Sequence, residues 1–522
     1  MRPSSSAQRQ REQKKREFKS RTVQYRAWKG LNIVDDRTAI DDDELFRLEN
    51  AITLGKGKIR VLPAAGATIA NIAVGISTIT GVVLNGVSVL ISVNSDGSLS
   101  QVTTGGVVTQ IAPAGTVTAN ARVAIWRGSP VLIVDPTFGY MQWDGAVFTV
   151  VDATKVGTTI DTFQGRVWIG NNRTITFTAP NTNNDFTAAN GAGSTTLTDS
   201  AFAGNIVRLI SVIEELWILG QSAVDAISNV TATGVGPVIT TFSITNIGSD
   251  VGTNAPQSVR GYFRALALMA PFGAYALSGV TPQKLSDKLD DLFANLTLGS
   301  APAAVGVVQN LLCLFFLVTY NGTDAQAQIA ASSVAPIPML LGFSKGNWFT
   351  AVQRTTLKWV TTAYVGGVAQ VWGADTAGNI FQCFGAAAST NTLGKISSRL
   401  YDFGRWDQWK QMYKMGLQVR ATSAVANVVM TADTEASTTV VQLSLQNQYI
   451  LQNAALATLQ LQNAALQNLF LVGTGLVLSE GDAPTGGHYL GWTVTFNDPP
   501  FDLVSVNMEY VPSREHAAGP QS

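Results

Sequence analysis

A short unit of strand, polar turn and strand returns along most of this chain, and it constrains the fold more than any other feature. In each copy, a run of apolar and β-branched residues leads into a turn built on Gly or Asp. A second short run with an aromatic side chain follows. The copies occupy 89–103, 131–151, 165–180, 209–227, 339–352 and 371–384. Such units, at a spacing of roughly 40–60 residues, are typical of β-propellers, so we predict a mainly β fold with a propeller-like body of short antiparallel sheets.

The segments that flank these units divide the chain into three predicted parts. Residues 1–29 carry ten Lys and Arg against two Glu, with few apolar residues, so they are predicted to form an extended basic arm without a core. Residues 30–400 are predicted to hold the propeller-like body, which starts with an acidic segment at 30–50. Residues 401–522 are predicted to form a further β region, with a Leu-Gln-Asn repeat inserted at 441–472.

Two segments do not follow the recurring unit. The repeat reads LQNQYI at 445–450 and LQNAAL at 451–456 and 461–466. Alternation before the repeat favours a β-ribbon or an extended arm, whereas its Ala, Leu and Gln residues leave a helix open. Residues 282–294 are predicted to form a helix, because three leucines share one face and Pro282 lies at the start.

Two segments favour contacts with other molecules. The basic arm either docks on an acidic protein surface or on DNA, or it is a solvated tail. After residue 400, aromatic residues alternate with basic ones, which favours a protein contact over stacking on nucleic-acid bases. The alternative is an edge strand or a linker that packs its aromatic residues on the propeller. The predicted assembly-contact residues are Arg9, Arg11, Lys14, Lys15, Arg16, Lys19, Trp406, Trp409 and Tyr413.

Composition points to assembly rather than to a charged ligand. Charged residues make up only 13% of the chain and hydrophobic residues 46%, which fits a subunit that buries much of its surface against other proteins. A single large β domain with a Ser, Thr and Asn surface is the alternative. Lys plus Arg and Asp plus Glu both total 35, so no overall charge selects nucleic acid. We expect no signal peptide and no membrane-spanning segment, because residues 1–29 are hydrophilic and no apolar run reaches ~18 residues.

Residues for catalysis are sparse. The chain has two histidines, His488 and His516, and neither lies in a nucleophile or zinc motif. Glu214 and Glu215 are adjacent, so on a strand they would point to opposite faces and could not flank one glycosidic bond. The acidic segment lacks the spacing of a calcium loop, and Cys313 and Cys383 lie in apolar runs typical of a core. We therefore predict no enzyme activity, no catalytic residues, no metal site and no cofactor.

The order of these segments resembles the tail nozzle proteins of short-tailed bacteriophages, also called tail hub or packaged-DNA stabilisation proteins. The matching stretches begin with GLNIVDD at 30–36 and IRVLPAAG at 59–66, and the resemblance covers most of 30–500. The others lie at 163–187, 199–227, 244–259, 272–279, 342–352, 395–404 and 488–495. The basic arm has no counterpart in this resemblance, and the repeat carries Leu where Trp or Val is expected.

The resemblance implies a structural virion protein without catalytic residues, assembled in the host cytoplasm into the phage tail. Six subunits are expected to form a ring below the portal and adaptor, which retains packaged DNA and conducts it during ejection. Tail fibres or spikes are expected to attach outside, and a needle or plug to close the end. A conduit should bind phosphates weakly, so we expect a neutral or acidic lumen. The rival interpretation is a monomeric β-propeller that binds or cleaves polysaccharide.

Overall fold

The computed structural model describes residues 20–512 apart from 35, 56, 235, 249, 280, 322–335, 422–424, 426 and parts of 444–475. The parts left out of that last range are 444–447, 450, 453–457, 460, 463–467, 470 and 473–475. The chain divides into two compact units. The propeller unit comprises the described residues of 64–387, and the terminal unit those of 20–63 and 388–512.

Six antiparallel four-stranded sheets and four strands of a larger antiparallel sheet make up most of the described propeller unit, and we number these seven groups of strands as blades in chain order. Blade 1 consists of Ile76–Leu84, Val87–Asn94, Leu99–Thr103 and Val108–Ala112. Blade 2 consists of Arg122–Ile125, Val131–Asp135, Gly139–Trp143 and Phe148–Asp152. Blade 3 consists of Thr159–Phe163, Arg166–Asn171, Thr174–Phe177 and Gly193–Thr196. Blade 4 consists of Arg208–Val212, Glu215–Leu219, Val224–Thr233 and Ile239–Gly248.

The remaining blades follow the same plan. Blade 5 consists of Arg260–Tyr262, Ala265–Ala270, Gly273–Ser278 and Thr281–Lys284. Blade 6 consists of Ala303–Val308, Leu311–Tyr320, Ile337–Ser344 and Asn347–Ala351, and the short strand Leu296–Thr297 also pairs with its second strand. Blade 7 consists of Leu357–Val365, Val368–Asp375, Asn379–Gln382 and, from the start of the unit, Thr68–Asn71. The helical segments are Ala188–Asn190, Pro256–Ser258, Asp287–Leu289 and Asp290–Phe293.

The ring of blades is closed by a strand from the beginning of the propeller unit. Thr68–Asn71 pairs with Asn379–Gln382, so the first strand of the unit completes the last blade. The first strand of each blade, which we call its inner strand, contacts the inner strands of neighbouring blades. For example, the Gly81 N–H of blade 1 donates to Thr361 Oγ1 of blade 7 at 3.0 Å. This closed arrangement is a β-propeller and confirms the fold class predicted from the sequence.

The hydrophobic cores of the propeller unit lie between neighbouring blades. Successive side chains of a strand point to opposite faces, and in blade 3 Trp168 packs toward blade 4 while Val167 and Ile169 pack toward blade 2. Trp168 is fully buried and lies against Phe177 and Phe242. Each fully buried large apolar side chain contributes about 1.5–3 kcal/mol, so neighbouring blades stabilise each other.

The terminal unit combines strands from both ends of the chain. One sheet has the order Ala51–Thr53, Ile59–Val61, Phe501–Pro512, Lys410–Ala421, Leu476–Gly487, and Arg21–Tyr25 also pairs with Phe501–Pro512. Leu45–Glu49, Thr392–Ser398, Leu490–Asp498, Val429–Thr434 and Thr438–Val441 pair in that order. Short antiparallel pairs within 441–472 join Gln448–Tyr449 to Leu471–Val472, Leu451–Gln452 to Thr458–Leu459, and Leu461–Gln462 to Asn468–Leu469.

Several predicted elements are placed differently by the structure. The predicted boundaries at 30 and 400 are wrong, because residues before 64 and after 387 pair with each other in the terminal unit. Part of the predicted arm 1–29 belongs to a sheet, because Arg21–Tyr25 pairs with Phe501–Pro512; residues 1–19 lie outside the described part. The predicted helix 282–294 is wrong in its first part, because Thr281–Lys284 pairs with Gly273–Ser278 as the outer strand of blade 5; within the predicted range, Asp287–Leu289 is a 3-10 helix and Asp290–Phe293 an α-helix.

The two cysteines lie in the core, as the sequence predicts. The strand Leu311–Tyr320 pairs with a neighbour on each side, and its residues from Cys313 to Val318 are buried. Cys313 and Cys383 are both buried free thiols. Burial raises the pKa of Cys313 to about 11 and that of Cys383 to about 12.

Candidate functional site

The predicted aromatic contact residues lie at one end of a long strand in the terminal unit, and their side chains are exposed. Trp406, Trp409 and Tyr413 are 69%, 45% and 51% exposed, respectively. The two tryptophans belong to the turn before Lys410–Ala421, and Tyr413 lies where that strand is bulged against both neighbours. We call these three residues the aromatic surface. The predicted basic contact residues, from Arg9 to Lys19, lie outside the described part of the chain.

A buried lysine fixes the turn that displays the aromatic surface. Lys410 is 1% exposed, and its ammonium donates hydrogen bonds to the carbonyl oxygens of Arg405 at 2.7 Å, Gln408 at 2.7 Å and His488 at 2.6 Å. Burial lowers the pKa of Lys410. Its three donors thus satisfy three carbonyl groups and tie the turn to the following sheet. The two tryptophans are therefore held in an ordered segment rather than on a free loop.

His488 also lies at this end of the sheet and contacts the aromatic surface. The His488 ring packs edge-on against Trp409 with centroids 5.4 Å apart, and its Nδ1 lies 3.3 Å from Glu435 Oε1. Burial would raise the pKa of Glu435, but backbone N–H groups of His488 and Tyr489 lower it below the ordinary value. His488 therefore orders the surface around Trp409, and His516 lies outside the described residues.

A second candidate site lies in the propeller unit and was not predicted. Arg122, Arg208 and Arg260 are the first residues of the inner strands of blades 2, 4 and 5. Inner strands surround the axis of a propeller, so the shared position places these arginines at one end of that axis. We call them, with Asp161 on the inner strand of blade 3, the arginine cluster. All four residues of the cluster are half-buried.

The guanidinium groups of the cluster lie close enough to influence each other electrostatically. Burial, and next the charge of Arg208, lower the pKa of Arg122 and of Arg260 to about 10 each. Arg208 therefore acts on the guanidinium groups of both Arg122 and Arg260, although blade 3 separates the strands of Arg122 and Arg208.

Asp161 is the one carboxylate in the cluster, and its oxygens are engaged by backbone groups. Its Oδ2 accepts from the Ser211 N–H at 2.6 Å and its Oδ1 from the Thr162 N–H at 2.8 Å. Burial raises the pKa of Asp161, while these hydrogen bonds and the charges of Arg208 and Arg260 oppose that shift. Within the described residues, the cluster's guanidinium groups form no ion pair within 4.0 Å.

Two guanidinium nitrogens of the cluster have no acceptor. The Nε atoms of Arg122 and Arg208 are buried and find no hydrogen-bond partner in the described part of the chain. Arg122 Nη1 donates to the carbonyl of Ala121 at 3.0 Å, and Arg260 Nε donates to the carbonyl of Ala303 at 2.9 Å. A buried donor without an acceptor is costly, so these two Nε atoms are available to a further acceptor.

The inner strands contain a sequence signal for this cluster. Arg122, Arg208 and Arg260 each follow a small or aliphatic residue at the start of an inner strand, as in NARVAIW, IVRLISV and SVRGYF. Aligning the blades by their inner strands would have placed the three arginines in one column. Their separation along the chain hides this relation from any local pattern.

Two other properties of the described residues concern metal-binding groups and membrane-spanning helices. Among them, no group of three or more His, Cys, Asp or Glu side chains is arranged to hold a metal ion. No helix there is long and apolar enough to cross a membrane.

The strand order defines the class: this chain is a β-propeller protein. No protein-family model and no curated protein sequence matches it. Among solved structures it is similar to BBS1N in complex with ARL6DN, at 8% identity and a TM-score of 0.39, over 62% of this chain and 95% of that one. The WD40 β-propeller domain of Doa1 is similar at 8% identity and a TM-score of 0.36, over 61% and 96% of the two chains. BamB from Moraxella catarrhalis is similar at 8% identity and a TM-score of 0.33, over 60% and 96%.

Proposed function

We propose that this protein is a non-enzymatic structural subunit of a bacteriophage tail, which forms the nozzle or hub ring below the portal and adaptor. In this role the ring retains packaged DNA, conducts it during ejection and carries fibres or spikes. The sequence resemblance supplies the kind of assembly. The structural observation that supports assembly is the aromatic surface, which Lys410 holds in place and which is open to solvent.

The exposed area of one tryptophan indicates how strongly such a surface can contribute to a subunit contact. Trp406 is 69% exposed, which for a side chain of roughly 250 Å² leaves about 170 Å² to bury. At about 25 cal/mol per Å² this area is worth at most about 4 kcal/mol. Truncating a central hot-spot residue of a protein interface to alanine costs about 2 kcal/mol or more, so loss of Trp406 should be visible in an assembly measurement.

Other properties fit the same role. The low content of charged residues fits a subunit whose surface is largely covered in the particle. On the terminal unit, Leu476 and Leu478 are also 43% and 52% exposed on one strand. The basic arm, of which residues 1–19 lie outside the described part, is proposed to engage the adjacent ring on the portal side. The lumen of the assembled ring is proposed to be neutral or acidic, so that DNA passes without strong binding.

The test is the mass of the full-length protein in solution, followed over a range of concentrations by mass photometry and by negative-stain imaging. We expect a closed ring with a central opening, and six subunits by the resemblance. Trp406→Ala with Trp409→Ala should raise the dissociation constant at least tenfold. Phe272→Ala is the matched control, because Phe272 is 80% exposed in a turn of blade 5, away from the aromatic surface in sequence.

Two results would contradict the proposal. One is a stable monomer at every concentration that binds or cleaves a host surface polysaccharide, as the rival function requires. The other is a ring whose stability is unchanged by both tryptophan substitutions, which would remove the aromatic surface as the contact. If deletion of residues 1–19 left binding to the portal-side ring unchanged, the role assigned to the arm would be wrong.

A further inference from the structure

We infer that the arginine cluster at one end of the propeller axis is a binding site for a small oxyanion of the phosphate class. This inference does not depend on the proposed tail function. It rests on the inner-strand positions of Arg122, Arg208 and Arg260, on the buried unpaired Nε donors of Arg122 and Arg208, and on the unbalanced charge of the cluster.

The charge of the cluster is the first step. Three arginines begin inner strands at one end of the axis, and the single carboxylate of the cluster, Asp161, accepts hydrogen bonds from the backbone N–H groups of Thr162 and Ser211. With Asp161 ionised, the cluster carries two net positive charges, and with Asp161 neutral it carries three. A phosphate anion has one or two negative charges near neutral pH, so it would remove most of the mutual repulsion among the arginines.

The geometry of the donors is the second step. The Nε atoms of Arg122 and Arg208 lack acceptors, and no hydrogen bond within the described part of the chain uses the Arg208 guanidinium. A guanidinium group presents its N–H donors in a planar fork that matches the oxygens of phosphate or carboxylate. An oxyanion between Arg122 and Arg208 would accept from donors that otherwise remain buried without partners.

The size of the ligand follows from the surroundings. The cluster residues are half-buried, so the site is open to solvent molecules, but the two Nε atoms themselves are buried. Inner strands of adjacent blades contact each other directly, for example through Leu209 N–H and Thr159 Oγ1 at 2.9 Å. A small ion can therefore reach the unpaired donors, whereas a duplex or a protein segment would have to separate the strands.

The experiment measures phosphate binding to the full-length protein by isothermal titration calorimetry at constant ionic strength, with chloride as the background anion. Thermal unfolding in the two anions gives a second readout, because a ligand that binds only the folded state raises the melting temperature in a saturable way. We expect saturable binding of inorganic phosphate to the unmodified protein. Arg208→Met should weaken it at least tenfold, and Asp161→Asn should strengthen it.

The control variants distinguish phosphate binding at the arginine cluster from the general stabilising effect of phosphate on folded proteins. Phosphate stabilises many folded proteins without binding a site, so Arg127→Met, which changes an exposed arginine of the propeller unit, must leave both readouts unchanged. If Arg208→Met does not fold, Arg122→Gln replaces it and should weaken binding by a similar factor. The inference is overturned if phosphate gives no saturable heat, or if the cluster variants and Arg127→Met respond to phosphate in the same way as the unmodified protein.

Discussion

Replacing Arg166 with Met should destabilise the propeller unit, because Arg166 joins blades 3 and 4 through a fully buried guanidinium. Arg166 is 1% exposed. It donates to the carbonyl of Thr178 at 2.6 Å, to the carbonyl of Gly191 at 2.8 Å and to Thr240 Oγ1 at 2.7 Å. Thr240 belongs to the outer strand of blade 4, and Gly191 to the segment before the outer strand of blade 3.

Two effects of opposite sign decide the size of the change. Removing the guanidinium leaves the Thr178 carbonyl without that donor, and a buried polar group that loses its partner costs about 1–3 kcal/mol. The hydrogen bonds to Gly191 and Thr240 add to this loss, although Gly191 keeps a donor in Thr240 Oγ1. Against them stands the cost of burying a charge, which lowers the pKa of Arg166 and which Met would not incur.

We expect the lost hydrogen bonds to dominate, with a net destabilisation of about 3 kcal/mol, because all three acceptors lie within 2.8 Å. A unit of about 320 residues has an unfolding entropy near 0.7 kcal/mol per degree, so the melting temperature should fall by about 4–5 °C. Differential scanning calorimetry of the full chain measures this shift.

Two variants calibrate the Arg166 result. Thr240→Val removes one acceptor and should lower the melting temperature by about 1–2 °C, at a cost near 1 kcal/mol. Arg127→Met, on the surface, should change it by no more than about 1 °C. If Arg166→Met left the melting temperature unchanged or raised it, desolvation of the charge would outweigh the hydrogen bonds, and the argument would be wrong.

Further predictions concern packing, pH and thiol reactivity. Gly81→Ala should lower the melting temperature by several degrees, because an added Cβ there would lie 1.9 Å from a backbone oxygen of blade 7. Gly105→Ala is the control and should change the melting temperature little, because an added Cβ there would meet nothing closer than 3.8 Å. Hydrogen bonds lower the folded-state pKa of Glu435, so its contribution to stability is present above the ordinary pKa of 4.5 and is lost as the pH falls through the lower folded-state value. Glu435→Gln should therefore lose less stability than the unmodified protein between pH 6 and pH 3 in urea unfolding monitored by tryptophan fluorescence. Cys313 and Cys383 should not react with a disulfide reagent at pH 8 until the protein unfolds, because burial raises the pKa of each thiol; rapid labelling of either in native protein would contradict this.

The blades were predictable because their signal is local. A strand such as Val368–Asp375 and its partner Asn379–Gln382 are joined by the turn around Gly378, and the residues of one turn specify both strands. The closing strand Thr68–Asn71 carries no comparable signal, because its partner lies some 300 residues away and only the completed ring brings them together. The predicted unit boundaries at 30 and 400 were wrong for the same reason, because the strands of the terminal unit also pair over most of the length of the chain.

The segment 282–294 shows a local pattern overridden by tertiary structure. Leu285, Leu289 and Leu292 have helical spacing, but only Asp290–Phe293 is α-helical. Leu289 and Leu292 are buried, so their spacing correctly indicates burial, although it does not determine the backbone conformation. Pairing of Thr281–Lys284 with the neighbouring strand satisfies backbone groups that a helix would have satisfied within itself.

The two candidate sites differ in whether a local sequence pattern reveals them. The aromatic surface was predictable because Trp406, Trp409 and Tyr413 lie within eight residues of one another. The arginine cluster was missed because Arg122 and Arg208 come together only when the blades surround a common axis. Burial of their Nε atoms is a property of that arrangement alone.

The closing strand also sets an order of events during synthesis. Asn71 leaves the ribosome about 300 residues before Asn379, its partner, which at ~5–20 residues per second is a delay of roughly 15–60 s. During that interval blade 1 has no finished neighbour on one side, and its apolar face waits for blade 7. The terminal unit waits longer still, because Arg21–Tyr25 pairs with residues 506–510 near the other end of the chain. The propeller unit therefore completes its folding only after Asn379–Gln382 has emerged, and the terminal unit only after residues 506–510 have emerged, so the nascent chain is prone to aggregation until those strands are available.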